Sequence, residues 1–121
     1  MMSRIFCLIF LLTCGVTSCK QEGVICTEEA RAGLQLTVRS GITGAVLSEG
    51  VSVLAVSGDY FEELQRYTGD SVFVGLFERP GTYEITITKE SYKQLILDSI
   101  RIDADECHVI TVVKDALIYP L

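Results

Sequence analysis

Tryptophan and asparagine are absent from the 121 residues, histidine occurs once, proline twice, and basic residues number 10 against 16 acidic ones. Each shortage removes something. Without asparagine there is no N-glycosylation sequon, and without tryptophan there is no indole platform for stacking sugars. The acidic balance, −6 overall, comes without the Lys and Arg clusters that a phosphate backbone demands, which argues against nucleic acid as a partner. It argues equally against adhesion to anionic lipid by charge. No Gly-x-Ser-x-Gly elbow marks a serine hydrolase, no repeat or low-complexity tract is visible, and the length leaves room for one domain.

Long apolar runs are also missing, apart from one at the start. "IFCLIFLL" (residues 5–12) is eight residues, far short of the roughly 20 a membrane-spanning helix needs. With Arg4 before it, the run suits the h-region of a secretory signal. "VTSC" (residues 16–19) then resembles a bacterial lipobox, with an aliphatic residue three before the cysteine and a small residue just before it. "LLTC", ending at Cys14, fits less well because Thr13 is bulkier and the signal would be very short. The reading is a lipoprotein signal peptide over 1–18 and a lipid on Cys19. The alternative is an ordinary signal followed by a free Cys19. Removing 18 residues leaves 103, carrying all the acidic residues and nine of the basic ones, a formal charge of −7.

The five cysteines sort themselves on that reading. Cys7 and Cys14 leave with the signal and Cys19 takes the lipid. Cys26 and Cys107 remain, most simply as a disulfide in an oxidising compartment, the alternatives being two free thiols or a bond to a partner. With one histidine and one oxidised pair, a zinc site lacks ligands. Asp103, Asp105 and Glu106 offer the oxygens a hard cation uses, but the loop lacks the glycine and twelve-residue span of an EF-hand and reads as a solvated acidic turn. No cofactor and no metal is expected.

Residues 19–32 read as a polar tether, and residues 33–121 as the folded domain. "LQLTVRS" (34–40) alternates apolar and polar residues with the period of two of a half-buried strand, and "GITG" punctuates it. "VSVLAVS" (51–57) has apolar residues on both faces and predicts a central strand. Residues 58–70 are ambiguous between a loop, a short strand and a turn of helix. "SVFVGLFE" (71–78) reads as a strand, and "RPGT" as a type II turn around Pro80 and Gly81. "YEITITK" (83–89), "KQLILDSIRID" (93–103) and "CHVITVVK" (107–114) complete six or seven short strands spaced near ten residues. That pattern predicts an all-β sandwich.

The order of three short motifs resembles carboxypeptidase regulatory-like domains. They are "LTVRSGITGAVLSEGVSVLAV", "ERPGTYEITITKESY" and "DECHVITVVKDAL", and the resemblance covers about residues 26–117. The resemblance implies a seven-stranded, transthyretin-like (Ig-like) β-sandwich. In the metallocarboxypeptidases that gave the domain its name it is an accessory without zinc ligands, so it implies no activity here. Ser91 stands where the family has glycine before the tyrosine, which leaves a left-handed turn there open, since a non-glycine residue bears a cost at positive φ.

"DECHV" (105–109) puts the single histidine beside a cysteine. Neighbours on a strand face opposite ways, so Cys107 and His108 would not meet as a nucleophile and base, and His108 is expected to be a bystander or a modest surface contact. Glu62 and Glu63 read as surface charge rather than a glycosidase pair. Phe73 and Phe77 are expected in the core. Tyr60, Phe61 and Tyr67 are the candidate binding loop, since exposed aromatics mark contact surfaces, the favoured alternative being that the loop packs them onto the core. No catalytic residue is assigned.

These features point to a lipid-anchored protein of the bacterial cell envelope, in the outer membrane, with a non-catalytic binding or structural module and an envelope protein as candidate partner. The alternatives are an envelope hydrolase using His108 with a distant Ser and Asp, and a periplasmic inhibitor of an envelope enzyme.

Overall fold

A computed structural model of the chain describes residues 25–67 and 69–121. The expected signal peptide, residues 1–18, and Cys19 lie outside the described residues. Seven strands form two sheets, and no helix occurs among the described residues. The strands are β1 (Leu34–Ser40), β2 (Val51–Ser57), β3 (Tyr60–Glu63), β4 (Phe73–Gly75), β5 (Gly81–Lys89), β6 (Leu95–Ile102) and β7 (Val112–Ile118). The smaller sheet runs β4-β1-β7 and the larger β3-β2-β5-β6. Every pairing is antiparallel except β1 with β7, which are parallel. The chain is an all-β sandwich.

Side-chain alternation explains how the sheets face each other. Leu34, Leu36 and Val38 of β1 are buried while Gln35, Thr37 and Arg39 are half-buried on the outer side. Val53 and Ala55 of β2 and Tyr83, Ile85 and Ile87 of β5 supply the facing layer. Ala116 and Ile118 of β7 close it. β2 is central as expected, between β3 and β5, and its outward Leu54 and Val56 are half-buried.

Four local expectations are corrected. The apolar run at 71–78 supports only three strand residues, because Leu76 and Glu78 adopt positive φ (57° and 49°) and the chain reverses there. That reversal, closed by the Arg79 N–H to the Leu76 carbonyl at 3.2 Å, replaces the type II turn around Pro80 and Gly81; Gly81 already begins β5. Phe77, at the tip of the turn, is 41% exposed instead of core, whereas Phe73 is buried. The last strand runs from Val112 to Ile118 rather than 107–114, because residues 103–111 form a loop pinned by an Ala104–Val109 bridge. The ambiguous 58–70 segment contains the short strand β3. Ser91 does turn left-handed, at φ 70°.

Register sorts the loops into two ends. Leu34 lies opposite Gly75 and Val112, and Gly81 opposite Ile102. One end therefore gathers residues 25–33, 76–80 and 103–111. Ser40 lies opposite Ile118 and Val51 opposite Lys89, so the other end gathers residues 41–50, 90–94 and 119–121.

Candidate functional site

The first of these ends carries the polar cluster. Cys26 and Cys107 are joined by a disulfide across 81 positions of sequence. Next to it, the Asp105 carboxylate accepts the N–H groups of Cys107 and His108 at 2.8 and 2.9 Å, and the Asp105 N–H donates to the His108 carbonyl at 2.9 Å. An aspartate folding the backbone two and three residues on is the chemistry of an Asx turn. It takes His108 out of any strand and turns its side chain inward, where it is only 8% exposed. The expectation of a surface bystander on a strand is thereby overturned. Asp105 is no free acidic residue either: the His108 and then the Cys107 backbone N–H hold its carboxyl below its usual range.

Two residues remote in sequence meet the imidazole. His108 Nδ1 lies 2.5 Å from Glu78 Oε2 and Nε2 lies 2.8 Å from Thr27 Oγ1. A carboxylate only accepts, so Nδ1 donates to Glu78. Glu78 is bound on three further counts. Its Oε2 accepts the Arg31 N–H and its Oε1 the Val109 N–H, each at 3.0 Å, while its own N–H donates to the Arg31 carbonyl at 3.0 Å. The Arg31 N–H chiefly, with Val109 and His108 adding to it against partial burial, holds the Glu78 carboxyl below its ordinary range. Hydrogen bonds to the charged form lower a carboxyl pKa in this way. Arg31 in turn pairs with Glu29 at 2.9 Å, and the Thr27 hydroxyl has a longer contact of 3.4 Å to Glu29. A cleft of about 300 Å³, bounded in part by Glu29, Glu78, Asp105 and His108, opens beside the cluster.

The arrangement has two chemical capabilities. It fastens residues 26–31, the tail of the expected tether, onto loops 76–80 and 103–111. It also sets a hydroxyl, an imidazole and a carboxylate in relay order, the geometry by which a base activates a nucleophile. Sequence reading placed none of Thr27, Glu78 and His108 together. One signal could have done so: Thr27 directly follows Cys26 and His108 directly follows Cys107, so pairing the two cysteines already juxtaposes them.

The remaining candidates are dispersed. Tyr60 faces inward from β3, donates to Glu62 at 2.5 Å, meets Tyr83 edge-on at 6.5 Å and carries the Arg79 guanidinium 3.5 Å above its ring. The Glu62 hydrogen bond chiefly, with burial, raises its phenol pKa. Phe61, the next residue, faces outward and is 72% exposed. Tyr67 is exposed in the β3–β4 connection, beside Arg66, which reaches Glu49 at 3.7 Å. The three aromatics do not form one contact loop. Glu62 and Glu63 part across β3: Glu62 accepts the Leu76 N–H at 2.9 Å and Glu63 accepts Ser52 Oγ at 3.0 Å. Among the described residues, no three His, Cys, Asp or Glu side chains are grouped to hold a metal ion, and no helix is long and apolar enough to cross a membrane.

The fold thus defines a small disulfide-tied β-sandwich with a polar cluster at one end. Comparison with models of protein families gives no match, and a search of curated proteins finds no relative.

Proposed function

We propose that this chain is a lipid-anchored protein of the bacterial cell envelope whose carboxypeptidase regulatory-like sandwich serves as a non-catalytic binding or structural module. One observation carries the reading. The bridge, Glu78 and His108 each bond to residues 26–31, only a few positions after Cys19. A segment joining a lipid to a domain must bear whatever displaces the two, and here it is fastened covalently and by hydrogen bonds. Seven residues extended reach at most about 25 Å, so the bridged end would be the one held near the bilayer. Several acyl chains would make the anchorage effectively permanent, since each buried methylene adds about 0.8 kcal/mol. The acidic surface supports a protein partner over nucleic acid. Mass spectrometry of the mature N-terminus tests the reading: a diacylglyceryl-modified Cys19 is the expected result, and any unmodified start refutes the anchor.

A second reading, an envelope hydrolase, is favoured by the Thr27–His108–Glu78 order. In it Thr27 Oγ1 attacks an ester carbonyl, its proton passes to His108 Nε2 and then to the leaving alcohol, and water releases the acyl group from Thr27 by the same route. Glu78 fixes the Nδ1–H tautomer, as the third member of a triad does. Hydrolysis of a p-nitrophenyl ester by the purified protein, abolished alike by Thr27→Ala and His108→Ala with an unchanged circular dichroism spectrum, would establish this reading. Absence of hydrolysis by the unaltered protein removes it.

A further inference from the structure

The outward face of the larger sheet carries more apolar surface than a sheet open to water needs. Antiparallel sheets with one solvated face ordinarily alternate apolar-in and polar-out. Here register lines up Phe61 of β3 beside Val56 of β2, and Leu54 of β2 beside Thr86 of β5 and Ile96 of β6. All point away from the core, because their strand neighbours Ala55, Ile85 and Ile87 are the buried ones. Phe61 is 72% and Ile96 48% exposed, and Leu54 and Val56 between them are half-buried. The result is an apolar surface contributed by β3, β2 and β6, interrupted on β5 by Thr86.

Its borders have one sign of charge. Glu63 lies opposite Leu54 and Glu84 opposite Val56, and Asp98 sits in the β6 irregularity facing Glu84, where register shifts between Tyr83 and Ile85. All three carboxylates are exposed. The basic residue on this face, Arg101, is already bonded to Asp103 at 2.7 Å. A second copy of the chain laid on this face would oppose carboxylates to carboxylates, and anionic lipid would meet the same repulsion.

We propose that this face docks a protein partner whose contact patch is apolar at the centre and basic at the rim. The inference rests on the reading of the chain as a binding module, and assigns that module its surface and the chemistry of its partner. Phe61 is the anchor, a large exposed aromatic of the kind that dominates interface energetics, and the acidic rim steers and selects the partner by charge.

The test uses the full-length protein in its native envelope, with a photo-crosslinking phenylalanine derivative at Phe61, at Ile96 or, as control, at the exposed Val113 of β7 on the other sheet. The expected result is one protein adduct shared by positions 61 and 96 and absent from 113. The captured peptide should be rich in Lys and Arg, and adduct yield should fall about tenfold or more when Glu63→Lys and Glu84→Lys are combined, because like charges would then face each other across the contact. An adduct with a second copy, an adduct equally strong from position 113, a yield indifferent to the charge reversal, or no adduct at all overturns the proposal. Mass spectrometry of Cys19 on the same preparation reports separately on the anchor, so failure of the docking surface is distinguishable from failure of the lipoprotein reading.

Discussion

The two ends of the sandwich hold the chain by different means. At the bridged end the fastening is covalent and polar: a disulfide, a carboxylate with three backbone and side-chain contacts, and an Asx turn. At the opposite end it combines packing, backbone bonds and hydroxyl or cationic side chains on backbone groups, among them Ser40 Oγ accepting the Ile42 and Thr43 N–H at 3.1 and 3.2 Å and Lys89 Nζ donating to the Glu49 carbonyl at 2.6 Å. The Tyr119 ring lies across Gly41, where an added Cβ would come within 2.2 Å of it. The Lys93 N–H donates to the Tyr119 carbonyl at 2.8 Å and the Leu121 N–H to the Ser91 carbonyl at 3.0 Å. Small domains bury too little apolar surface to hold every loop by packing. The bridged end supplements the core with bonds that depend on redox state and on carboxylate ionisation, and the other with a chain terminus laid over a turn.

Breaking the bridge should give the largest difference between the ends. Cross-linking residues so far apart in sequence restricts the unfolded chain, and the chain-entropy argument assigns roughly 4.5 kcal/mol to a loop of this length, with measured values often lower. Replacing Cys26 and Cys107 together by serine should therefore lower unfolding free energy by about 2–5 kcal/mol in urea titration. Amide protection should fall first at Arg31, His108 and Val109, and last at Lys93 and Leu121. Uniform loss across both ends would show that the bridge acts on the unfolded state alone.

A matched pair of glycine substitutions sharpens the contrast next. Gly33 donates to the Gly75 and Leu76 carbonyls at 3.0 and 3.1 Å, and a Cβ there would lie 2.6 Å from the Leu76 carbonyl oxygen. That carbonyl is backbone and cannot yield cheaply, so Gly33→Ala should destabilise by about 1–3 kcal/mol, in the range of overpacking. The three nearest atoms to a Cβ at Gly41 all belong to the ring of Tyr119, a side chain that is 44% exposed and not backbone. The effect of Gly41→Ala should stay below about 1 kcal/mol, with loss of protection confined to residues 119–121. Equal effects of the two substitutions in thermal unfolding would contradict this account.

Acid should loosen the bridged end selectively. The carboxyls held below their ordinary range, Glu29, Glu78 and Asp105, all lie there. For Glu78 and Asp105 the cause is backbone N–H groups that bond the charged form. The folded state then binds their protons more weakly than the unfolded chain does. The stability they contribute is fully present above the unfolded carboxyl pKa of about 4 and is lost as pH falls through their depressed values. The urea midpoint should drop between pH 5 and pH 2.5, and Glu78→Gln combined with Asp105→Asn should flatten that acid limb while lowering the midpoint at pH 7. An unchanged limb in the double variant would sink the assignment.

Much of the scaffold was legible from the residues. Period-two alternation at 34–40 and apolar, β-branched runs at 51–57 and 83–89 are local properties, and local properties set which face of a strand is buried. Counting cysteines joined Cys26 to Cys107. What escaped was decided by contacts distant in sequence. The run at 71–78 looks like a strand until Glu62 takes the Leu76 N–H and Glu78 turns back to Arg31. "CHVITVVK" keeps a strand pattern, yet the Asp105 carboxylate and the bridge hold its first residues in a loop. Glu78 and His108 are 30 residues apart, and no periodicity links them. Phe61 and Tyr60 looked alike as exposed aromatics because a strand as short as β3 carries too little pattern to tell its two faces apart.

The smallest expected effect concerns Ser91, at the unbridged end. Its φ of 70° lies in the left-handed region, which serine occupies at a cost of about 1 kcal/mol and glycine occupies freely. The turn forms regardless, with the Tyr92 N–H donating to the Lys89 carbonyl at 3.0 Å, because the β5–β6 connection must reverse within a few residues and the Ser91 carbonyl is engaged by the Leu121 N–H. Ser91→Gly removes the strain but also frees the unfolded chain, and the two effects oppose each other. The net gain should be a few tenths of a kcal/mol up to about 0.5, visible as a rise of one to a few degrees in the thermal midpoint. Ser91→Ala, which keeps the left-handed strain, should show no such rise. Stabilisation by alanine as large as by glycine would mean that the serine hydroxyl, and not the backbone angle, is what this end of the sandwich tolerates poorly.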